Sequence, residues 1–203
     1  MGRFVVKDTF YKKAKQEGFR ARSAYKLQEI QQKYRALRQG DKVLDLGCAP
    51  GSWLQVISGL VGEKGFVQGI DLLPIAPLPQ KNLRAAKSDI RTLNVAELLA
   101  SLSIPSFDVI TCDIAPNLSG IRDVDNARIA ELFGAVLAVV QRGLRPGGTF
   151  IIKSFFSEDL KPTIRELETI FGRVSMFKPS ASRGVSSEIY LICQNKREQP
   201  AAT

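Results

Sequence analysis

VLDLGCAPGSW, residues 43–53, is the stretch that decides the fold. Apolar Val43 and Leu44 lead into an acid, Asp45. A turn with glycines at 47 and 51 follows, and Ser52 opens an apolar run with helical character. A glycine-rich turn between a strand and a helix lets backbone N–H groups approach a ligand closely. The same pattern also describes a plain strand–helix turn with no ligand.

Outward from this turn, strand and helix patterns alternate. Strands are expected over residues 42–45, 66–70, 83–87, 107–112 and 148–154, with helices over 52–60, 95–102, 126–143 and 160–171. The last two strands, 173–177 and 188–194, are expected to pair antiparallel. Before the turn, residues 8–17 and 23–37 read as helices, with Ala24, Leu27, Ile30, Gln31 and Tyr34 at helical spacing. The pattern predicts an α/β fold: a seven-stranded, mostly parallel sheet with one antiparallel strand and helices on both faces. Residues 1–196 are expected to form one domain, with a basic helical region over about 1–40. Residues 197–203 are expected to be a disordered tail.

The chain has 203 residues, 44% of them hydrophobic, enough for one full core. It has no histidine, which excludes a histidine base, a Ser-His-Asp triad and a histidine-ligated metal. No metal site is expected. Cys48, Cys112 and Cys193 are far apart and form no CxxC motif, so they read as buried thiols. No apolar run approaches a membrane span, and the N-terminus lacks a signal-peptide apolar core, so a cytoplasmic protein is expected. With no coiled-coil pattern, a monomer is expected too.

The net charge is +9, and it is concentrated at one end. Residues 1–40 hold 11 Lys and Arg against three acids; the rest is nearly balanced. A basic arm beside a neutral body is the footprint of nucleic-acid binding, with Lys12, Lys13, Arg20 and Arg22 as candidate RNA contacts. A solvated helix face and an anionic-membrane contact are the competing readings, the second weakened by the lack of an apolar face between Lys12 and Arg22.

In a parallel sheet, ligands sit beyond the carboxyl ends of the strands. Asp45, Asp71, Asp89 and Asp113 all fall near strand ends. One such acid is often a helix cap; four on successive strands point to a site. The GxxPG turn differs from the GxGxxG spacing of dinucleotide folds. It fits a nucleoside with a short charged tail, such as S-adenosylmethionine (SAM), better than a phosphate chain. Asp71 is placed to accept ribose hydroxyls and Asp89 an adenine amine. Trp53 reads either as a cover for the cofactor or as a packing residue. Asp113 lies in CDIAPNLSG, which lacks the (D/N)PP(Y/F) tetrapeptide of amine methylation and the Pro-Cys pair of cytosine C5 methylation. A hydroxyl acceptor remains. Lys153 interrupts the apolar strand GTFIIKSFF on the same side as Ile151 and Phe155. It reads either as a snorkelling lysine or as a desolvated general base. Lys26 in RSAYKL and Glu188 in EIYLI pose the same choice between charged element ends and site residues.

RARSAYKLQEI, VLDLGCAPGSW, GIDLLP, CDIAPNLSG, the Lys153 strand and SSEIYLI occur in an order that resembles the FtsJ family. The resemblance runs from about residue 12 to 194. It implies a Rossmann-like SAM-dependent methyltransferase acting on a ribose 2′-hydroxyl of RNA, expected to be a uridine of 23S rRNA in the large ribosomal subunit. A tRNA methyltransferase and a non-catalytic RNA-binding assembly factor are the alternatives. The family's catalytic tetrad would fall on Lys26, Asp113, Lys153 and Glu188, and its cofactor contacts on Gly47, Gly51, Trp53, Asp71, Asp89 and Asp113. Cys48 and Ser52 depart from the Ala and Gly more usual in the turn.

Overall fold

The computed structural model describes residues 9–114, 119–156, 160–182 and 186–198, with the side chains of 122 and 123 outside that description. Part of CDIAPNLSG (115–118), the first eight residues with Arg3 and Lys7, and the tail from 199 lie outside the described residues.

Two helices, α1 (Thr9–Gln16) and α2 (Ser23–Tyr34), precede β1 (Lys42–Leu46). The chain then runs through α3 (Ser52–Val61), β2 (Phe66–Asp71), β3 (Leu83–Lys87), α4 (Val95–Leu102) and β4 (Phe107–Cys112). It ends with α5 (Arg122–Gly143), β5 (Leu144–Phe155), α6 (Leu160–Ile170), β6 (Phe171–Phe177) and β7 (Glu188–Lys196). The seven strands form one sheet in the order β3-β2-β1-β4-β5-β7-β6. β7 alone runs opposite to the other six strands, pairing antiparallel with β5 and β6. This is the sheet expected from the sequence.

Alternation along the strands sends side chains to two separate cores. On one face Val43, Val67, Val109, Ile151, Tyr190 and Ile192 pack against α2 and α3 through Leu27, Ile30, Leu54 and Ile57. On the other, Leu44, Ile110, Ile152 and Leu191 pack against α4, α5 and α6 through Val95, Val140 and Leu167. Lys153 therefore shares its face with Ile151 and Tyr190, the face that α2 covers.

Several boundaries differ from expectation for visible reasons. Helix α2 stops at Tyr34 rather than 37, because Arg35 turns left-handed (φ 48°). The Gln31 side chain then binds both the N–H and the carbonyl of Leu37. Helix α5 starts four residues early, at Arg122. In its first turn, Asp125 accepts hydrogen bonds from the N–H groups of Ser119 and Gly120, just ahead of the helix, and from the Ser119 hydroxyl. Strand β5 starts at Leu144, because Leu144 pairs with Phe107 while Thr149 pairs with Val109. The residues between bulge out through Gly147 (φ 71°). At the C-terminus Arg197 is still tied by its N–H to Ile170 O at 2.8 Å, so order continues past the point where the tail was expected to begin.

Candidate active site

The glycine turn closes over the end of β2. Gly47 N–H donates to Ile70 O at 2.8 Å, and Ala49 N–H donates to Asp71 Oδ2 at 2.8 Å. Gly47 (φ 73°) and Gly51 (φ 105°) take a backbone conformation that side chains resist. A Cβ at Gly47 would also overlap Ile114 Cγ1, so the turn and the segment after β4 touch. The Ala49–Pro50 peptide is cis.

A cavity of about 750 Å³ opens here, at the carboxyl ends of β1, β2 and β4. Gly47, Ala49, Asp71, Asp89, Asp113 and Ile114 line it. Asp71 anchors its floor: Oδ1 accepts Leu73 N–H at 2.8 Å while Oδ2 holds Ala49. Each carboxylate oxygen keeps a further acceptor site. Asp89 caps a single 3-10 turn (Ile90–Thr92) and is gripped by Arg91 Nη2 at 2.6 Å. The Arg91 hydrogen bonds hold the Asp89 carboxyl below its ordinary range.

Trp53 and Gly51 stand outside this lining. Trp53 is buried, stacks on Tyr190 with ring centroids 5.7 Å apart, and donates from Nε1 to Ser23 O at 2.9 Å. It pins α3 to α2 and β7; of the two readings of Trp53, packing is the one this geometry matches. Gly51 faces Leu78 and Arg20. Asp45, expected at a strand end, is fully buried one residue before it and is absent from the lining. It accepts Thr111 Oγ1 at 2.6 Å, and its Oδ2 has no partner. Burial pushes its carboxyl up to about 8, opposed by Thr111 and reinforced by Asp113 and Asp71.

Beside the cavity, two polar pairs lie on the α2-facing side of the sheet. Lys153, at 8% side-chain exposure, places Nζ 3.2 Å from Asp113 Oδ1 and donates to Asp113 O at 2.8 Å. Tyr190 donates its hydroxyl to the same Asp113 Oδ1 at 2.7 Å. The second pair is Lys26 Nζ and Glu188 Oε1, 2.6 Å apart. Tyr190 joins the pairs: it is the cross-strand partner of Lys153, two residues from Glu188, and its ring lies 5.8 Å from the Lys26 ammonium. The structure thus brings Lys26, Asp113, Lys153 and Glu188 together around one tyrosine.

Sequence reading missed Tyr190, although its position two after Glu188 in EIYLI puts both on one strand face. It also missed a clamp behind Glu188. Glu29, on α2, accepts Ser180 N–H at 2.6 Å, Ser180 Oγ at 2.7 Å and Ala181 N–H at 2.9 Å. That turn delivers Ser182 Oγ to Glu188 Oε1 at 2.8 Å.

Of the basic residues, Lys12 and Lys13 are exposed on α1, with Lys13 near Glu17 and over the Tyr25 ring. Arg20, expected on RNA phosphate, commits three of its five N–H donors to the protein. It donates to Pro50 O at 2.9 Å, Ala76 O at 2.7 Å and Pro77 O at 2.6 Å, stapling the glycine turn to the loop after β2. Arg22 is half-buried at the start of α2.

A family model of FtsJ-like methyltransferases matches residues 19–196, nearly the whole chain. The chain belongs to the FtsJ-like methyltransferase family. Among its FtsJ-like relatives, the ribosomal RNA large subunit methyltransferase E of Methanothrix thermoacetophila is 45% identical over 186 residues, 92% of this chain and 71% of its own. The protein of the same description from Bdellovibrio bacteriovorus is 41% identical over 192 residues, 94% of this chain and 97% of its own. A Plasmodium falciparum protein described as a ribosomal RNA methyltransferase superposes with a TM-score of 0.76 at 29% identity, covering 89% of this chain and all of that one. A fibrillarin/Nop5p complex matches with a TM-score of 0.59 at 16% identity over 82% of this chain and 78% of that one, a likeness of fold alone. The FtsJ-like chain is an enzyme of the RNA methyltransferase class. No described helix is long and apolar enough to cross a membrane.

Proposed function

We propose that this chain transfers a methyl group from SAM to a ribose 2′-hydroxyl of RNA, the acceptor being a uridine of 23S rRNA in the large ribosomal subunit. The relatives' descriptions as large-subunit rRNA methyltransferases support the substrate. The observation that carries the chemistry is the Lys153–Asp113 pair, 3.2 Å apart beside the cavity that Asp113 lines. We place the reaction in the cytoplasm, on one protomer, with 1–196 as a single catalytic domain.

The cavity suits SAM. Its volume lies within the range of small-molecule sites. Asp71 has acceptor sites left for two ribose hydroxyls, and the side-chain-free wall at Gly47 admits close contact. Asp89 and Asp113 would face the remaining polar groups. Bound there, SAM supplies an electrophilic methyl group on a sulfonium, so no metal is needed to activate it.

The protein's part is alignment and proton handling. Asp113 and Tyr190 fix the Lys153 amine at the cavity edge. Lys153 Nζ, in its neutral amine form, would take the proton of the 2′-hydroxyl as that oxygen is methylated. Lys26, held by Glu188, keeps a positive charge on the same face as oxygen loses its proton. Exposed lysines of α1, Lys12 and Lys13 among them, would meet phosphates, giving affinity with little sequence information.

The test is transfer from labelled SAM to large subunits lacking the modification, to total RNA and to tRNA, with the label mapped to base or ribose. Ribose label on the subunit or its RNA is expected. Label on tRNA alone would move the substrate; label on a base would overturn the chemistry. SAM binding with no transfer to any RNA would favour a binding module.

A further inference from the structure

Two rims of the larger cavity are joined from outside. One rim is the glycine turn, with Gly47 and Ala49; the other is the end of β2 and the loop after it, with Asp71, Leu72 and Leu73. Residues 72–80 of that loop form neither helix nor strand. Pro74, Pro77 and Pro79 lack N–H groups, so the loop has little means of holding its own backbone. Ile75 and Leu78 seat it on the core shared with α2 and α3. Arg20 adds polar ties. One nitrogen, Nη1, donates both to Pro50 O in the turn at 2.9 Å and to Ala76 O in the loop at 2.7 Å, while Nη2 donates to Pro77 O at 2.6 Å. Arg20 is itself rooted: its N–H donates to Gln55 Oε1 on α3 at 2.9 Å, and Gln55 Nε2 donates to Gly18 O at 2.9 Å. Gly51 leaves room for the guanidinium, since a Cβ there would lie 3.2 Å from Arg20 Nη1. Arg20 is absent from the lining of the cavity.

We propose that Arg20 is a positioning residue for the cofactor: its guanidinium sets the spacing between the two rims and so the affinity for SAM. The proposal rests on the assignment of this cavity to SAM. Pro50 follows the lining residue Ala49, and Ala76 lies three residues past the lining residue Leu73. A shift of either carbonyl therefore moves the wall. The hydrogen bond from Ala49 to Asp71 ties the rims on the inside, and Arg20 ties them on the outside. A planar fork reaches carbonyls of two segments at once, which the point charge of a lysine does not match. Charge alone predicts the opposite sign. SAM at neutral pH is a net cation, so a nearby guanidinium repels it. Removing a charge with no positioning role would leave SAM affinity unchanged or raise it; removing the staple lowers it. A phosphate contact differs again, because it acts on the KM for RNA and not on SAM binding measured without RNA.

The test is calorimetry of SAM binding with RNA absent, followed by steady-state transfer to unmodified large subunits. Arg20→Gln is expected to weaken SAM binding about tenfold. Arg20→Lys, which keeps the charge and loses the fork, is expected to be at least about fivefold weaker than wild type. Gln55→Met, which frees the root of the staple, is expected to cost about threefold. The KM for SAM is expected to rise by the same factors, with kcat at saturating SAM and the KM for the subunit within about twofold of wild type. Wild-type SAM affinity in both Arg20→Gln and Gln55→Met would overturn the proposal, whatever their melting temperatures. Wild-type affinity in Arg20→Lys, or a rise confined to the KM for the subunit, would overturn it too. Calorimetry needs no methyl acceptor, so failure of this proposal and failure of the ribose-methylation reading are seen separately. Wild-type protein that does not bind SAM would remove the cofactor assignment and the proposal with it.

Discussion

The Lys26 ammonium lies 2.6 Å from Glu188 Oε1, with both side chains almost fully withdrawn from solvent. A buried ion pair is weak evidence for stability in itself, but breaking it leaves an unpaired charge in the interior. Burial alone would raise the Glu188 carboxyl; the hydrogen bond and charge of Lys26, helped by Ser182, more than offset that and hold it below its usual range.

Glu188→Ala is therefore expected to destabilise the protein by roughly 3 kcal/mol, several degrees in melting temperature at this chain length. The double variant Lys26→Met/Glu188→Leu is expected to regain most of the loss. Because the folded Glu188 carboxyl titrates below its unfolded value, its contribution is present above the unfolded pKa and is lost as pH falls through the folded one. Thermal melts of the three proteins between pH 7 and pH 3 check this. A Glu188→Ala melt equal to wild type at pH 7 would refute it.

Asp45 carries the opposite sign. Its folded carboxyl is raised to about 8, whereas an unfolded one titrates near ~4. Across that window the folded state binds the extra proton, so stability falls as pH rises and levels off above the folded value. Asp45→Asn keeps an oxygen for Thr111 and cannot ionise. Its melting temperature relative to wild type is expected to climb between pH 5 and pH 8.5. A difference that stays constant with pH would show that Asp45 does not titrate in this range.

Lys196 caps a helix rather than serving the site. Its ammonium donates to Val140 O at 3.1 Å, Gln141 O at 2.7 Å and Leu144 O at 2.6 Å, three carbonyls clustered where α5 passes into β5. Lys196→Met is expected to cost about 1–3 kcal/mol and to leave the SAM affinity unchanged. A melt within one degree of wild type would count against the cap.

The Glu29 clamp gives a catalytic prediction. Glu29→Gln weakens the grip on Ser180 and Ala181 and so the delivery of Ser182 to Glu188. It is expected to lower kcat about tenfold, since small misplacements near a reacting group are costly, with little change in KM for RNA. Glu29→Asp is expected to recover part of kcat. A fall in stability with kcat intact would make the clamp purely structural.

Much of this molecule is legible in its sequence. Alternation of period 2 and period 3.6 marks the elements that bury one face; β3 is mostly exposed, and the 3-10 turn at Ile90–Thr92 is not marked by either period. The phase of GTFIIKSFF puts Lys153 on the same side as Ile151, the side that α2 covers. Lost to sequence are features set by long-range register. Tyr190 meets Asp113 from 77 positions away, through the β5–β7 pairing. Nothing local to Arg20 reveals the three carbonyls, 30 to 57 residues downstream, that hold its guanidinium. Trp53 beside a glycine turn suggests a cofactor lid, yet its indole finds a buried partner in Ser23 O. Local pattern reports which residue is buried, not what it meets there.

The most direct test of the central claim is single-turnover methyl transfer by Lys153→Ala and Lys153→Met on unmodified large subunits, with SAM affinity measured on the same preparations. A loss of about 10²-fold or more in rate, with SAM affinity near wild type, is the expected result. Ribose methylation at the wild-type rate without Lys153 would contradict the assignment of that amine to the hydroxyl proton.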